Sequence, residues 1–215
     1  MDAIIENLPR FIDGFLMTVR LLVISSLGAI LIGTLIAAMR ISPIAAFRIF
    51  ATGYTELFRN TPLTLVLFFC AFVLPYLGLR FDYVVLALIG LTLYTSPFVA
   101  EAIRSGINGV SIGQAEAARA IGLGFSQTLR IVVLPQAIRM VIPPLINVFI
   151  ALTKNTSVAG GFAVIELFAT SRQLINIRGD ETIALLMGVA LFYLVITVPL
   201  GQFAVALEKK VAVLR

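Results

Sequence analysis

Glu116 and Arg119 stand three apart inside the stretch GQAEAARAI, Lys154 is followed by Asn155, Thr156 and Ser157, and Tyr94, Thr95 and Ser96 precede Pro97. Arg59-Asn60-Thr61-Pro62 and the pair Glu101 and Arg104 complete the polar groups that lie in or beside apolar stretches. Side chains of these types make ion pairs and hydrogen bonds to a ligand or a neighbouring chain. The chain has no His and a single Cys, Cys70, which excludes a His/Cys metal cluster, a Ser-His-Asp triad and an intrachain disulfide. The expected chemistry is recognition rather than covalent catalysis, so the chain is not expected to be an enzyme.

The elements that must position these groups are membrane helices. Of the 215 residues 60% are hydrophobic and 13% charged, with a mean hydropathy of +1.06, against about 45–50% apolar and about 25% charged in a soluble domain. A span needs about 20 apolar residues, and the charge-poor runs predict five spans at about 14–39, 61–79, 83–104, 131–153 and 182–207. The first is too long for a signal-peptide core and lacks a small-residue cleavage site, so it is expected to remain in the mature protein. Spans two and three join tightly through Arg80-Phe81-Asp82, and Pro143-Pro144 predicts a broken or tilted fourth span. The stretch Thr182 to Leu207 would extend about 39 Å as a helix, beyond a hydrocarbon thickness of about 30 Å, which implies tilt or a projecting end.

With an odd number of spans the termini lie on opposite sides, and the positive-inside bias places the N-terminus outside and the C-terminus inside. That arrangement puts ten cationic residues on the inner side, among them Arg40, Arg48, Arg59, Arg104, Lys209-Lys210 and Arg215, and leaves six outside. The net charge of +5 and pI near 9.8 thus read as topology, not as a nucleic-acid surface. No linker or soluble domain interrupts the chain. The expectation is an all-α membrane protein, residues 1–215 forming a single transmembrane domain.

The longest inner segment, between spans three and four, predicts a short helix over about 113–122. Its small side chains, Ala115, Ala117, Ala118 and Ala120, let another surface approach closely. Glu116 and Arg119 add polar registration, and Gly122, Leu123 and Gly124 supply a helix stop. A connector lying in the interface is the plainer reading of the same residues. Lys154 either snorkels to the outer interface or faces a cavity with Asn155 and Thr156 beside it. Asn60 and Thr61 either cap a helix or line the inner half of a pathway. Thr95 and Ser96 either serve helix packing or, with Pro97 freeing a backbone carbonyl, supply its hydroxyl partners. Glu101 and Arg104 read as a structural ion pair rather than a proton relay.

Glu116-Ala117-Ala118, Gly122, Val132 and Leu134-Pro135 resemble the EAA signature of ABC-importer permease subunits, with Val132 in a position that is Ile in the pattern. The stretches ELFRNTPLTL, LYTSPFVAEAIRSGI, VVLPQAIRMVIPPL and LTKNTS extend the likeness to the polar amino-acid uptake subgroup over nearly the whole chain, and RNTPLTL, RSGIN, GQAEAARAIGLGF and ALTKNT are most similar to a permease subunit of glutamate importers. The resemblance implies a coupling helix that contacts a separate ATPase, assigned to Gly113, Ala115, Glu116, Ala117, Ala118, Arg119, Gly122, Leu123 and Gly124. It implies a substrate pathway past Asn60, Thr61, Thr95, Ser96, Lys154, Asn155 and Thr156. The subgroup often carries Asp after that Lys, and neutral Asn155 in its place disfavours cationic cargo and suits glutamate or aspartate.

The partners implied are a second, similar permease subunit, more in keeping with a heterodimer than a homodimer, an ATPase dimer on the cytoplasmic side and an extracytoplasmic amino-acid-binding protein, all at a bacterial inner membrane. No GxxxxGK[ST] loop occurs, so this chain is expected to hold no cofactor, with ATP and Mg bound by the partner ATPase. An ion-coupled carrier or channel acting alone is the alternative, disfavoured because the spans lack multiple carboxylates. A membrane scaffold would leave the polar groups without a common purpose.

Overall fold

The computed structural model describes residues 2–212, and Arg215, counted above among the inner cations, lies outside them. The described residues form helices joined by short turns, with no strand among them. A short helix α1 (Asp2–Glu6) leads into α2 (Leu8–Arg40), followed by α3 (Ala45–Asn60), α4 (Leu63–Phe68) and α5 (Leu74–Tyr76), the last two joined by a π-helical turn over Phe69–Val73. Next come α6 (Tyr83–Asn108), α7 (Ile112–Ala120) and α8 (Phe125–Gln127). A second π-helical stretch, Thr128–Val133, leads into α9 (Leu134–Asn155) and a 3-10 segment, Thr156–Gly161; α10 (Leu167–Ile177) and α11 (Thr182–Ala212) complete the chain. Four helical units are long and apolar enough to cross a membrane, and a fifth arises if the bent pair Ala45–Asn60 and Leu63–Tyr76 counts as one.

That bend is 104° and its cause is local. Thr61 is extended (ψ 133°), as a residue before Pro62 prefers. Thr61 Oγ1 donates to the Leu57 carbonyl at 2.7 Å and Asn60 Nδ2 to the Glu56 carbonyl at 2.9 Å, which closes the last turn of α3. The sequence reading had not separated α3, because Arg48, Glu56 and Arg59 interrupt its apolar pattern. Nor had it found α10, whose eleven residues are too few and too polar to cross. The break expected at Pro143-Pro144 is absent: α9 runs on through both, since their fixed φ is helical although each removes a donor to the carbonyl four residues earlier, and irregular backbone lies on either side, at Thr128–Val133 and Thr156–Gly161.

Packing runs along α2, whose buried face carries Phe11, Gly14, Thr18, Leu21, Ser25, Ala29, Gly33 and Ile36 at helical spacing. The central core joins Leu21 to Leu63, Leu67, Ala87, Leu91 and Leu152 of α4, α6 and α9. Small residues set the closest approaches, as is usual between membrane helices. At Gly106 a β-carbon would lie 2.2 Å from Val141 Cγ2 and 2.8 Å from the Val141 backbone nitrogen, so α6 and α9 meet there only because glycine has none.

Polar ties close both ends of the bundle. At the Arg40 end, Glu101 of α6 accepts from Arg40 and Arg104 and has Arg59 at 3.8 Å, joining α2, α3 and α6; the Arg104 Nη2 contact is 2.8 Å. At the other end Glu166 is fully buried and caps α10, accepting from the Phe168 and Ala169 N–H groups at 2.9 and 2.7 Å and from the Tyr193 hydroxyl at 3.0 Å. The Leu167 N–H donates to Thr18 Oγ1 at 3.2 Å, which fixes α10 to α2 as Tyr193 fixes it to α11.

Gly106→Ala should lower the thermal midpoint of the detergent-solubilised protein by several degrees, because overpacking against backbone costs about 1–3 kcal/mol and outweighs the gain of about 1 kcal/mol in helix propensity. Glu101→Gln should lower it by a similar amount through loss of a carboxylate shared by three guanidinium groups, hydrogen bonds to charged groups being worth about 1.5–3 kcal/mol each. A thermal scan monitored by light scattering reads both, and an unchanged midpoint in either variant would refute the corresponding contact.

Candidate functional site

Pro97 sits inside α6 and, lacking an N–H, leaves the carbonyl of Leu93 one turn earlier without its helical donor. Two hydroxyls take the place of that donor: Ser96 Oγ at 3.1 Å and Tyr54 Oη at 3.2 Å both reach the Leu93 oxygen, and the two hydroxyls lie 2.7 Å apart. The sequence reading expected hydroxyl partners for this carbonyl. It had Ser96 but not Tyr54, which comes from α3, an element it had not recognised.

On the adjoining face of α6, Tyr94, Thr95 and Phe98 line a cavity of about 470 Å³, with Asn147, Val148, Ala151, Leu152 and Asn155 of α9 opposite. The rings of Tyr94 and Phe98 are tilted against each other at 5.4 Å, and the Arg59 guanidinium stands 5.9 Å from the centre of the Phe98 ring. Thr95 is buried and its hydroxyl has no hydrogen-bond partner. Among the described residues no charged side chain lines the space.

The residues singled out as a pathway are therefore divided. Thr95 and Asn155 meet in the cavity, and Lys154 is exposed beside it in the last turn of α9. Thr156 is buried, with its hydroxyl turned back to the Thr153 carbonyl at 2.7 Å. Ser96 serves the Leu93 carbonyl, while Asn60 and Thr61 close the end of α3 and do not line the cavity. Asn147 was missed, although a lone carboxamide in the apolar stretch Met140 to Thr153 was the available signal.

A second candidate surface is α7, nine residues long and too short to cross a membrane. Gly113, Glu116, Ala117 and Arg119 are exposed, Ala115 is half-buried and Ala118 is buried. The helix ends in a Schellman turn: the Gly122 N–H donates to Arg119 at 3.0 Å and the Leu123 N–H to Ala118 at 3.1 Å. Gly122 takes φ +89°, a conformation that a side chain with a β-carbon resists. Leu123 and Gly124 then lead into α8, whose first N–H groups are helped by Gln127 Oε1 accepting from the Gly124 N–H at 3.0 Å. Ile112, Ile121 and Phe125 flank the helix with between 77% and 81% of their surface exposed, an apolar rim without a partner among the described residues.

Comparison with known proteins places this geometry. Residues 29–213 match the family described as "Binding-protein-dependent transport system inner membrane component". The chain is 41% identical to the Glutamate transport system permease protein GluC of Corynebacterium efficiens over 217 residues, with 95% of each covered. It is also 41% identical to the Probable glutamine ABC transporter permease protein GlnM of Bacillus subtilis, with 98% of this chain and 97% of the relative covered. Among solved structures, a chain from an amino acid ABC transporter crystallised with histidines superposes with a TM-score of 0.88 at 28% identity, covering 96% of both. A chain of the inward-facing MetNI methionine transporter shares the fold, with a TM-score of 0.71 at 19% identity. The chain belongs to the family of binding-protein-dependent transport system inner membrane components.

Proposed function

We infer that this chain, a permease subunit of an amino-acid ABC importer, carries an acidic amino acid such as glutamate or aspartate across a bacterial cell membrane by alternating access. Counting the bent pair α3 and α4–α5 as one crossing gives five spans within a single transmembrane domain over residues 1–215. The distribution of Lys and Arg then sets the N-terminus outside and the C-terminus inside. In that orientation the Glu101 ion cluster and α7 face the cytoplasm, and the Glu166 cap faces the exterior.

The observation that carries the ATP-driven part of this reading is α7, an exposed Ala-rich helix closed by a fixed turn at Gly122 and bordered by unpartnered apolar side chains. It serves as the coupling helix, with Gly113, Ala115, Glu116, Ala117, Ala118, Arg119, Gly122, Leu123 and Gly124 meeting an ATPase dimer that binds ATP and Mg. Binding and hydrolysis shift the populations of inward-open and outward-open states because the ATPase has different contacts with each. A second, similar permease subunit completes the pathway as a heterodimer, and an extracytoplasmic binding protein delivers the cargo. Lys154, exposed beside Asn155, supports acidic cargo, since a cation there and a neutral residue after it attract a carboxylate and leave no carboxylate to attract a cation. Asn60, Thr61, Thr95, Ser96 and Thr156 complete the proposed pathway.

Glu116→Lys combined with Gly122→Val should abolish ATP-dependent uptake and co-purification of the ATPase while leaving membrane insertion intact; valine at a positive φ costs about 1–2 kcal/mol and opens the turn. Normal co-purification would refute the coupling role. Lys154→Ala should cut glutamate uptake by about tenfold or more, the loss of about 1.4 kcal/mol of attraction, with complex yield unchanged. Uptake by reconstituted proteoliposomes given acidic, neutral and basic amino acids reads this, and undiminished glutamate uptake would remove Lys154 from the pathway.

A further inference from the structure

Four polar side chains line the cavity between α6 and α9, those of Tyr94, Thr95, Asn147 and Asn155, and none of them has a hydrogen-bond partner among the described residues. Thr95 is 3% exposed with Oγ1 unmatched, a condition native proteins rarely leave without reason. Asn155 ends α9, and Asn147 lies two turns earlier, about 12 Å along the axis. Asn147 is exposed within an otherwise apolar stretch. A carboxamide at that depth is compatible with water or protein around it and not with lipid tails. Thr95, Asn147 and Asn155 line one space and carry hydrogen-bonding capacity that no described protein group uses.

The chemistry of that lining is specific. A carboxylate only accepts hydrogen bonds, a carboxamide both donates and accepts, and so do Thr and Asn side chains. A cationic pocket would prefer a carboxylate to its amide, but among the described residues no charged side chain lines this one, and Lys154 lies exposed outside it. Neutral groups that can turn either a donor or an acceptor toward the ligand serve both forms.

We propose that Asn147 is a specificity-determining residue of this cavity, contacting the side-chain head group of the cargo together with Thr95, so that glutamine can enter the same site as the acidic cargo. The inference rests on the cavity being part of the transport pathway. Overall charge selection belongs to Lys154 outside the cavity, whereas Asn147 acts on the head group within it.

The test uses the detergent-solubilised complex of both permease subunits and the ATPase, without binding protein, in equilibrium dialysis against radiolabelled glutamate. Saturable binding is expected, with glutamine displacing the label. Asn147→Asp should weaken glutamate binding by about tenfold or more through like-charge repulsion while glutamine stays within about threefold of its original affinity. Unchanged glutamate binding in this variant, failure of glutamine to compete in the natural protein, or no saturable binding at all would each overturn the assignment. If Asn147→Asp fails to assemble, Asn147→Gln, which keeps the amide and displaces it by one methylene, should weaken both ligands, and unchanged affinity for both overturns the proposal. ATP-driven glutamate uptake with the binding protein present is a separate readout: its persistence leaves the importer reading standing whatever the dialysis shows, and its absence removes that reading.

Discussion

Inside a hydrocarbon layer a carbonyl without a donor, or a charge without a counter-charge, cannot turn to water, so each irregularity in a membrane helix has to be matched by another side chain. In this chain that requirement determines which helices touch. The Leu93 carbonyl released by Pro97 draws Tyr54 of α3 onto α6. Glu101 gathers the guanidinium groups of Arg40, Arg59 and Arg104 from three helices. Glu166 takes two backbone N–H groups of α10 and the hydroxyl of Tyr193 from α11. Apolar contact alone would allow these helices to slide, because lipid tails are as apolar as the side chains between them; the polar ties fix their register.

The ties are concentrated toward the two ends, and the middle of the bundle is organised differently. The close approach of α6 and α9 at Gly106 belongs to the Glu101 end, and the cavity beside Thr95 lies further along the two helices. Thr95 in its lining, like Ser25 of α2, is a buried hydroxyl left unmatched, in contrast with the saturated clusters at the two ends. A region of low internal hydrogen bonding between two well-bonded ends is what a pathway for polar cargo requires. The lining can exchange its bonds with a passing molecule without dismantling the elements that hold it.

Much of the fold was legible in the sequence because the signals were local. Long charge-poor runs marked α2, α6, α9 and α11; Gly122 marked the end of α7; Pro97 marked a carbonyl in need of hydroxyls. What the sequence concealed depended on distant partners. The segment over α3 was left unassigned because Arg48, Glu56 and Arg59 interrupt its apolar residues, and its place in the fold emerges where Tyr54 and Arg59 reach α6. Glu166 drew no attention in the sequence, and its burial follows from α10 folding back onto Thr18 and Tyr193. Asn60 and Thr61 drew attention as polar residues at the mouth of an apolar run, yet their side chains are occupied with the backbone of α3. Asn147 was the reverse case, an isolated amide whose setting was visible but whose significance required seeing what stood opposite.

The Tyr54–Leu93 bond has a consequence for how such a chain can vary over generations. The hydroxyl on α3 is useful because a proline four residues after Leu93 has vacated the carbonyl, and the proline is tolerable because that hydroxyl is within reach. Restoring an ordinary residue at position 97 would return the carbonyl to its own helix and leave the phenol to the Ser96 hydroxyl, while losing the phenol alone would leave the carbonyl to Ser96. Two positions more than forty residues apart thereby form one unit of inheritance, and drift at either one is constrained by the state of the other.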